Sequence, residues 1–216
     1  MKDDYQIKQD VLDELDWDPE IEASRVGVEV TDGAVTLVGA VETYRQKQAA
    51  REATKRVAGV RSLVDKLEIE LPIQHRLSDE GLAERVAHVL NWNVSADAKN
   101  IQAEVQNGVV TLTGELDYHF QRKNILDQIE HVAGVVNVID QMTVKPKVSA
   151  SDVEDRIKGA LNRHAEIESE NVTVRVLDGT VTLEGTAESL DEMDRIEQAA
   201  WAGPGVTNVI NNLRLG

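Results

Sequence analysis

The sequence predicts an α+β protein of three tandem α-β-β-α-β modules, each a three-stranded mixed sheet with two helices on one face. Three observations carry this expectation: an eight-residue segment that recurs twice, a Gly-Val pair at fixed distance behind each occurrence, and a hydrophobic period that switches from four to two and back within each copy. Asp32 to Gly39 recurs as Asn107 to Gly114 and again as Asp178 to Gly185. Gly59, Gly134 and Gly205, each followed by Val, stand 26 residues after Gly33, Gly108 and Gly179. The copies are offset by 75 and then 71 residues, so the length difference falls in linkers near Pro72 and Pro146. The expected modules span 1–72, 78–146 and 149–216.

The first element of each copy is a helix, because Ile7, Val11, Leu15; Leu82, Val86, Leu90; and Val153, Ile157, Leu161 recur every four residues. A half-buried strand follows, since Val26, Val28, Val30; Ile101, Ala103, Val105; and Val172, Val174, Val176 alternate with mostly polar neighbours. The Asp-Gly or Asn-Gly pair behind it suits a type I′ hairpin turn, in which both central residues need positive φ. Gly39, Gly114 and Gly185 close the second strand. A second helix is expected over 43–57, 121–132 and 190–202, with Gly59, Gly134 and Gly205 at its left-handed C-terminal stop. A last strand alternates through Leu63, Leu67, Ile69, Leu71; Val138, Met142, Val144; and Val209, Leu213, Leu215. Its place beside either hairpin strand stays open.

This element order, the Asp/Asn-Gly-x-Val-Thr-Leu-x-Gly hairpin and the later Gly-Val pair resemble the BON domain, named after bacterial osmotic-stress and nodulation proteins. The resemblance covers nearly the whole chain. It implies a non-catalytic module that attaches to phospholipid surfaces or mediates interactions in envelope and stress proteins. Many family members carry a leader. The acidic start Met1-Lys2-Asp3-Asp4-Tyr5 has no apolar run, and no later window approaches a membrane span, so the expected location is cytoplasmic, or periplasmic only if a leader was removed.

Composition narrows the partners. The chain has 216 residues, is 41% hydrophobic and holds only seven aromatics, which favours several small aliphatic cores. A net charge of −16 repels nucleic-acid phosphates, so no nucleic-acid partner is expected. Without cysteine there are no disulfides, thiolate nucleophiles or Cys-ligated zinc. His75, His88, His119, His131 and His164 lack metal-ligand spacing. The acids Asp16, Asp18, Glu20 and Glu22 alternate as in a calcium loop, but Ile21 and Gly27 stand where Gly and Glu belong. No phosphate loop or nucleophile elbow appears. The expectation is a non-enzyme without metal or cofactor.

Two features could carry binding. Trp17 and Trp92 share one repeat position, two residues past the last apolar residue of the first helix; there each suits a bilayer interface or partner pocket, or covers the end of its own core. Lys47, Arg51 and Lys55 lie at i, i+4, i+8 on the second helix of the first copy, beside Arg45 and Arg56. Such a stripe suits an anionic phospholipid surface. It also suits a solvated face, or docking onto an acidic neighbouring repeat. A protein partner or a second copy, received at open sheet faces or edges, is the alternative to lipid.

Overall fold

The computed structural model describes residues 2–73, 77–92, 101–145, 157, 159, 171–203 and 205–216. The first repeat runs α1 (Asp4–Trp17), β1 (Val26–Thr31), β2 (Ala34–Val41), α2 (Tyr44–Arg56) and β3 (Ser62–Ile69). The second runs α3 (Asp79–Trp92), β4 (Gln102–Gln106), β5 (Val109–Leu116), α4 (His119–Glu130) and β6 (Asn137–Val144). The third gives β7 (Val172–Leu177), β8 (Thr180–Ala187), α5 (Leu190–Trp201) and β9 (Asn208–Leu215). Its expected first helix lies mostly outside the described residues, apart from Ile157, which is buried in the third core.

Each repeat forms its own sheet, ordered β1-β2-β3, β4-β5-β6 and β7-β8-β9. The hairpin strand that follows the turn is central: it pairs antiparallel with the strand before it and parallel with the last one. This resolves the strand order that spacing left open. The turns take the expected form, with φ of 51° and 76° at Asp32 and Gly33 and near-identical values at Asn107, Gly108 and Asp178, Gly179. Here helix one adds a feature. The Asp4 carboxylate accepts the N–H groups of Asp32 and Gly33 at 2.8 and 2.9 Å, and Asp79 accepts those of Asn107 and Gly108 at 2.8 and 3.0 Å.

The glycines behind helix two act differently from expectation. Helix α2 ends at Arg56 with Val57 extended, and Gly59, at φ 99°, sits third in a turn closed by Val60 N–H to the Val57 carbonyl at 3.3 Å. Gly134 and Gly205 hold the same place in turns closed by Val135 and Val206. They turn the chain into the last strand rather than forming the helix cap, because the third residue of such a turn needs the positive φ.

The core of each repeat lies between its helices and one face of its sheet. Ile7, Val11 and Leu15 pack with Val28, Val35, Leu37, Ala50, Ala53 and Leu67. The other sheet face is open, and there Val64, Ile139 and Ile210, one repeat position, are 45%, 41% and 43% exposed.

Candidate binding surface

The start of helix two is fixed locally. Thr43 and Ser189 accept the N–H of Gln46 and Glu192 at 3.1 Å each. The side chains of Gln46, Gln121 and Glu192 reach back to the N–H of Glu42, Tyr118 and Glu188 at 2.8, 2.9 and 2.6 Å. So anchored, the first residue of helix two in each repeat, Tyr44, His119 or Leu190, projects toward a neighbouring repeat.

The three contacts follow one rule. Tyr44 is 7% exposed inside the second core, where its oxygen hydrogen-bonds the Val138 backbone, and burial holds its hydroxyl above the ordinary tyrosine range. His119 stacks on Trp201 of the third repeat with ring centroids 4.3 Å apart, and the Arg122 guanidinium lies 5.8 Å from the same ring. Leu190 packs against the first core. Polar pairs repeat the pattern: Arg45 to Glu130 at 3.9 Å, Lys123 to Gln198 at 3.1 Å and Asp194 to Lys55 at 2.5 Å. In these three pairs a residue of the first turns of helix two meets one of the last turns of the next repeat's helix two. Steps from first to second, second to third and third back to first close on themselves, so the repeats form a ring with an approximate threefold axis.

That ring decides the fate of the basic stripe. Lys55 reaches Asp194 across it. Arg45 lies 2.9 Å from Glu20 and 3.5 Å from Glu52, besides its contact with Glu130. Lys47 donates to the Leu67 carbonyl at 2.7 Å and, with Arg51, flanks Asp65 at 3.5 and 3.8 Å. Arg56 pairs with Glu14 at 2.9 Å and Asp18 at 3.6 Å. All five cations face carboxylates of the same chain, two of them in other repeats. Arg45 and Lys55 reach carboxylates of other repeats, whereas Lys47, Arg51 and Arg56 pair within the first repeat.

The tryptophans differ. Trp17 is 85% exposed and Trp92 81%, so neither indole covers its own core. Two residues past Leu15 is about 200° around the helix, which turns Trp17 from the core to solvent. Trp92 stacks on His88, centroids 5.9 Å apart. Tyr5, Tyr118 and Phe120 are exposed as well, so five of the seven aromatics face solvent. Trp17 and Trp92 are the same repeat position, each the last residue of helix one in its repeat. The third equivalent, Arg163, lies outside the described residues.

A cleft of about 580 Å³ between the first two repeats is lined by Ile69, Leu71, Leu77 and Val136, and its carboxylates are already engaged, Asp79 with the hairpin turn and Glu70 with Arg25. Among the described residues no group of three or more His, Asp or Glu could hold a metal ion, and no helix is long and apolar enough to cross a membrane. Sequence reasoning missed the inter-repeat residues Tyr44, His119, Trp201 and Leu190. Tyr44, His119 and Leu190 shared one signal, a large side chain at the first position of helix two in every copy.

The chain is 28% identical over 204 residues to osmotically-inducible protein Y of Escherichia coli (strain K12), covering 88% of this chain and 98% of that protein. It is 32% identical over 123 residues to "Uncharacterized protein in gshII 5'region" of Anaplasma centrale, covering 54% of this chain and 82% of that one. The C-terminal domain of CdsD, a structural protein of the Type III secretion system of Chlamydia trachomatis, aligns over 100% of both chains at 18% identity, with a TM-score of only 0.28. The BON domain family model matches residues 3–70, 78–146 and 149–216, and the chain therefore belongs to the BON domain family, with three copies of the domain in tandem.

Proposed function

We propose that this chain is a non-enzymatic binding scaffold that attaches peripherally to phospholipid surfaces through Trp17 and Trp92, in a stress-related role in keeping with the name of its osmotically inducible relative. The carrying observation is the exposure of both indoles at symmetry-equivalent positions, in a protein whose cores are aliphatic. An exposed indole suits the headgroup boundary, with its apolar rings inward and its N–H in water, and two of them add their contributions. The internal pairing of the basic stripe makes the attachment aromatic rather than electrostatic, so it depends little on salt.

Co-sedimentation with zwitterionic and with anionic vesicles at low and high salt tests this. The expected result is binding that survives high salt and falls at least tenfold in a Trp17→Ala/Trp92→Ala chain. No sedimentation with either vesicle at low salt overturns it.

A second reading, a protein partner at the open sheet faces, is favoured by the aliphatic position Val64, Ile139 and Ile210, exposed alike in all three repeats. Retention of a partner that is lost in Val64→Ser/Ile139→Ser/Ile210→Ser would select it.

A further inference from the structure

We infer that the outer edge of β4 pairs with the β4 edge of a second copy of this chain, joining two second-repeat sheets antiparallel about Ala103. This goes beyond the lipid reading and does not depend on it. Hydrogen-bond parity decides which backbone groups are free. The carbonyls of Gly108 and Leu116 accept from Val136 and Lys145 at 2.9 and 2.8 Å, so alternate residues of β5, Val110 and Leu112 among them, turn their backbone groups to β6. Ala103 and Val105 stand opposite Leu112 and Val110, so their own N–H and C=O groups point away from the sheet. Among the described residues no hydrogen bond reaches them.

The other sheet edges are guarded. On the last strands Asp65, Asp140 and Asn211, one repeat position, accept the outward N–H of Leu67, Met142 and Leu213 at 3.0, 2.9 and 3.1 Å. Lys47 takes the Leu67 carbonyl, and Tyr44 reaches the Val138 backbone on β6. On the first strands Val28 and Val174, the counterparts of Ala103, are 4% and 1% exposed. Ala103 is exposed, and Leu90 on the helix above it is half-buried where its counterpart Leu15 is fully buried. The ring meets β6 at the opposite edge of this sheet, so β4 faces away from the other repeats. An open edge is a template for another strand. Charge selects a second copy as that strand. Residues 76–147 hold seven Lys and Arg against ten Asp and Glu, a net −3 of the chain's −16, so two copies repel least here. With Ala103 opposite Ala103, the exposed Glu104 of each copy lies opposite the exposed Gln102 of the other, whose amide donates to the carboxylate. The next register that aligns the outward groups would set Glu104 against Glu104. The contact is isologous, so each pair occurs twice.

Sedimentation velocity of the full chain over a range of concentrations tests this. A monomer–dimer equilibrium is expected. Ala103→Pro removes an N–H that β5 does not use, so it should keep the wild-type circular dichroism and sediment as monomer. Two substitutions at the exposed Gln102 need no proline: Gln102→Lys should tighten the dimer about tenfold and Gln102→Glu weaken it about tenfold, because each cross-strand pair counts twice. Thr173→Lys, the same change at the counterpart position in the third repeat, should leave the dimer as it is. Monomer at the highest soluble concentration, or a dimer that both Gln102 substitutions leave unchanged, overturns the inference. A monomeric chain that retains a cationic extended peptide, and loses it in Ala103→Pro, gives the edge to that occupant and overturns it as well.

Discussion

His119 of the second repeat lies flat against Trp201 of the third, ring centroids 4.3 Å apart and planes 12° from parallel. Burial and the neighbouring Arg122 hold the imidazole down to about 4, with Lys123 acting the same way and Asp140 opposing. Its buried Nδ1 has no hydrogen-bond partner among the described residues, so protonation would add a charge where none is accommodated. The folded state disfavours the imidazolium relative to the unfolded chain. The stabilisation is therefore complete above about pH 6.5 and is lost as pH falls toward about 4. Thermal melts between these limits should show the wild type losing Tm faster than His119→Phe, which keeps the stack and removes the titration. Parallel losses would mean that another group sets the acid sensitivity.

Tyr44 makes the corresponding contact between the first two repeats. Truncating a side chain this buried removes apolar contacts that neighbours replace only in part, so Tyr44→Ala should cost about 3 kcal/mol in urea unfolding. Tyr44→Phe loses the hydrogen bonds to Gln48 and the Val138 backbone but keeps the ring, for about 1 kcal/mol. Equal effects from the two substitutions would mean that the ring does not fill the second core.

Each hairpin turn of the first two repeats hangs on one carboxylate. Asp4→Ala leaves the Asp32 and Gly33 N–H groups without their charged acceptor, and water recovers part of the loss at this half-exposed site, for about 1–2 kcal/mol. Asp79→Ala should match it at Asn107 and Gly108. Hydrogen exchange at Gly33 and Gly108 reads the effect directly: each amide should exchange faster only in the variant of its own repeat.

The repeats, their hairpins and most helix positions were legible in the sequence because they are written locally. An Asn-Gly or Asp-Gly pair with positive φ leaves few alternatives, and a stripe such as Ile7, Val11, Leu15 has one helical face to bury. The ring was not legible. Tyr44, His119 and Leu190 share a position but not a chemistry, so no pattern marks them as one interface. The pairing of the basic stripe was not legible for a related reason. Its spacing shows only that the cations share a helix side, whereas Glu14, Asp18, Asp65, Glu130 and Asp194, which pair with them, come from α1, its following turn, β3 and two other repeats. The glycines behind helix two carried the right conformation and the wrong place, because helix end and strand turn both ask for positive φ.

The central functional claim, that Trp17 and Trp92 enter a lipid interface, is tested most directly by fluorescence with vesicles whose acyl chains carry bromine, using a Trp201→Phe chain so that only these two indoles report. A blue shift and strong quenching are expected, persisting at high salt, and each is expected to remain in part in the single-indole chains Trp17→Ala/Trp201→Phe and Trp92→Ala/Trp201→Phe. Emission that stays red and unquenched at saturating lipid would contradict it.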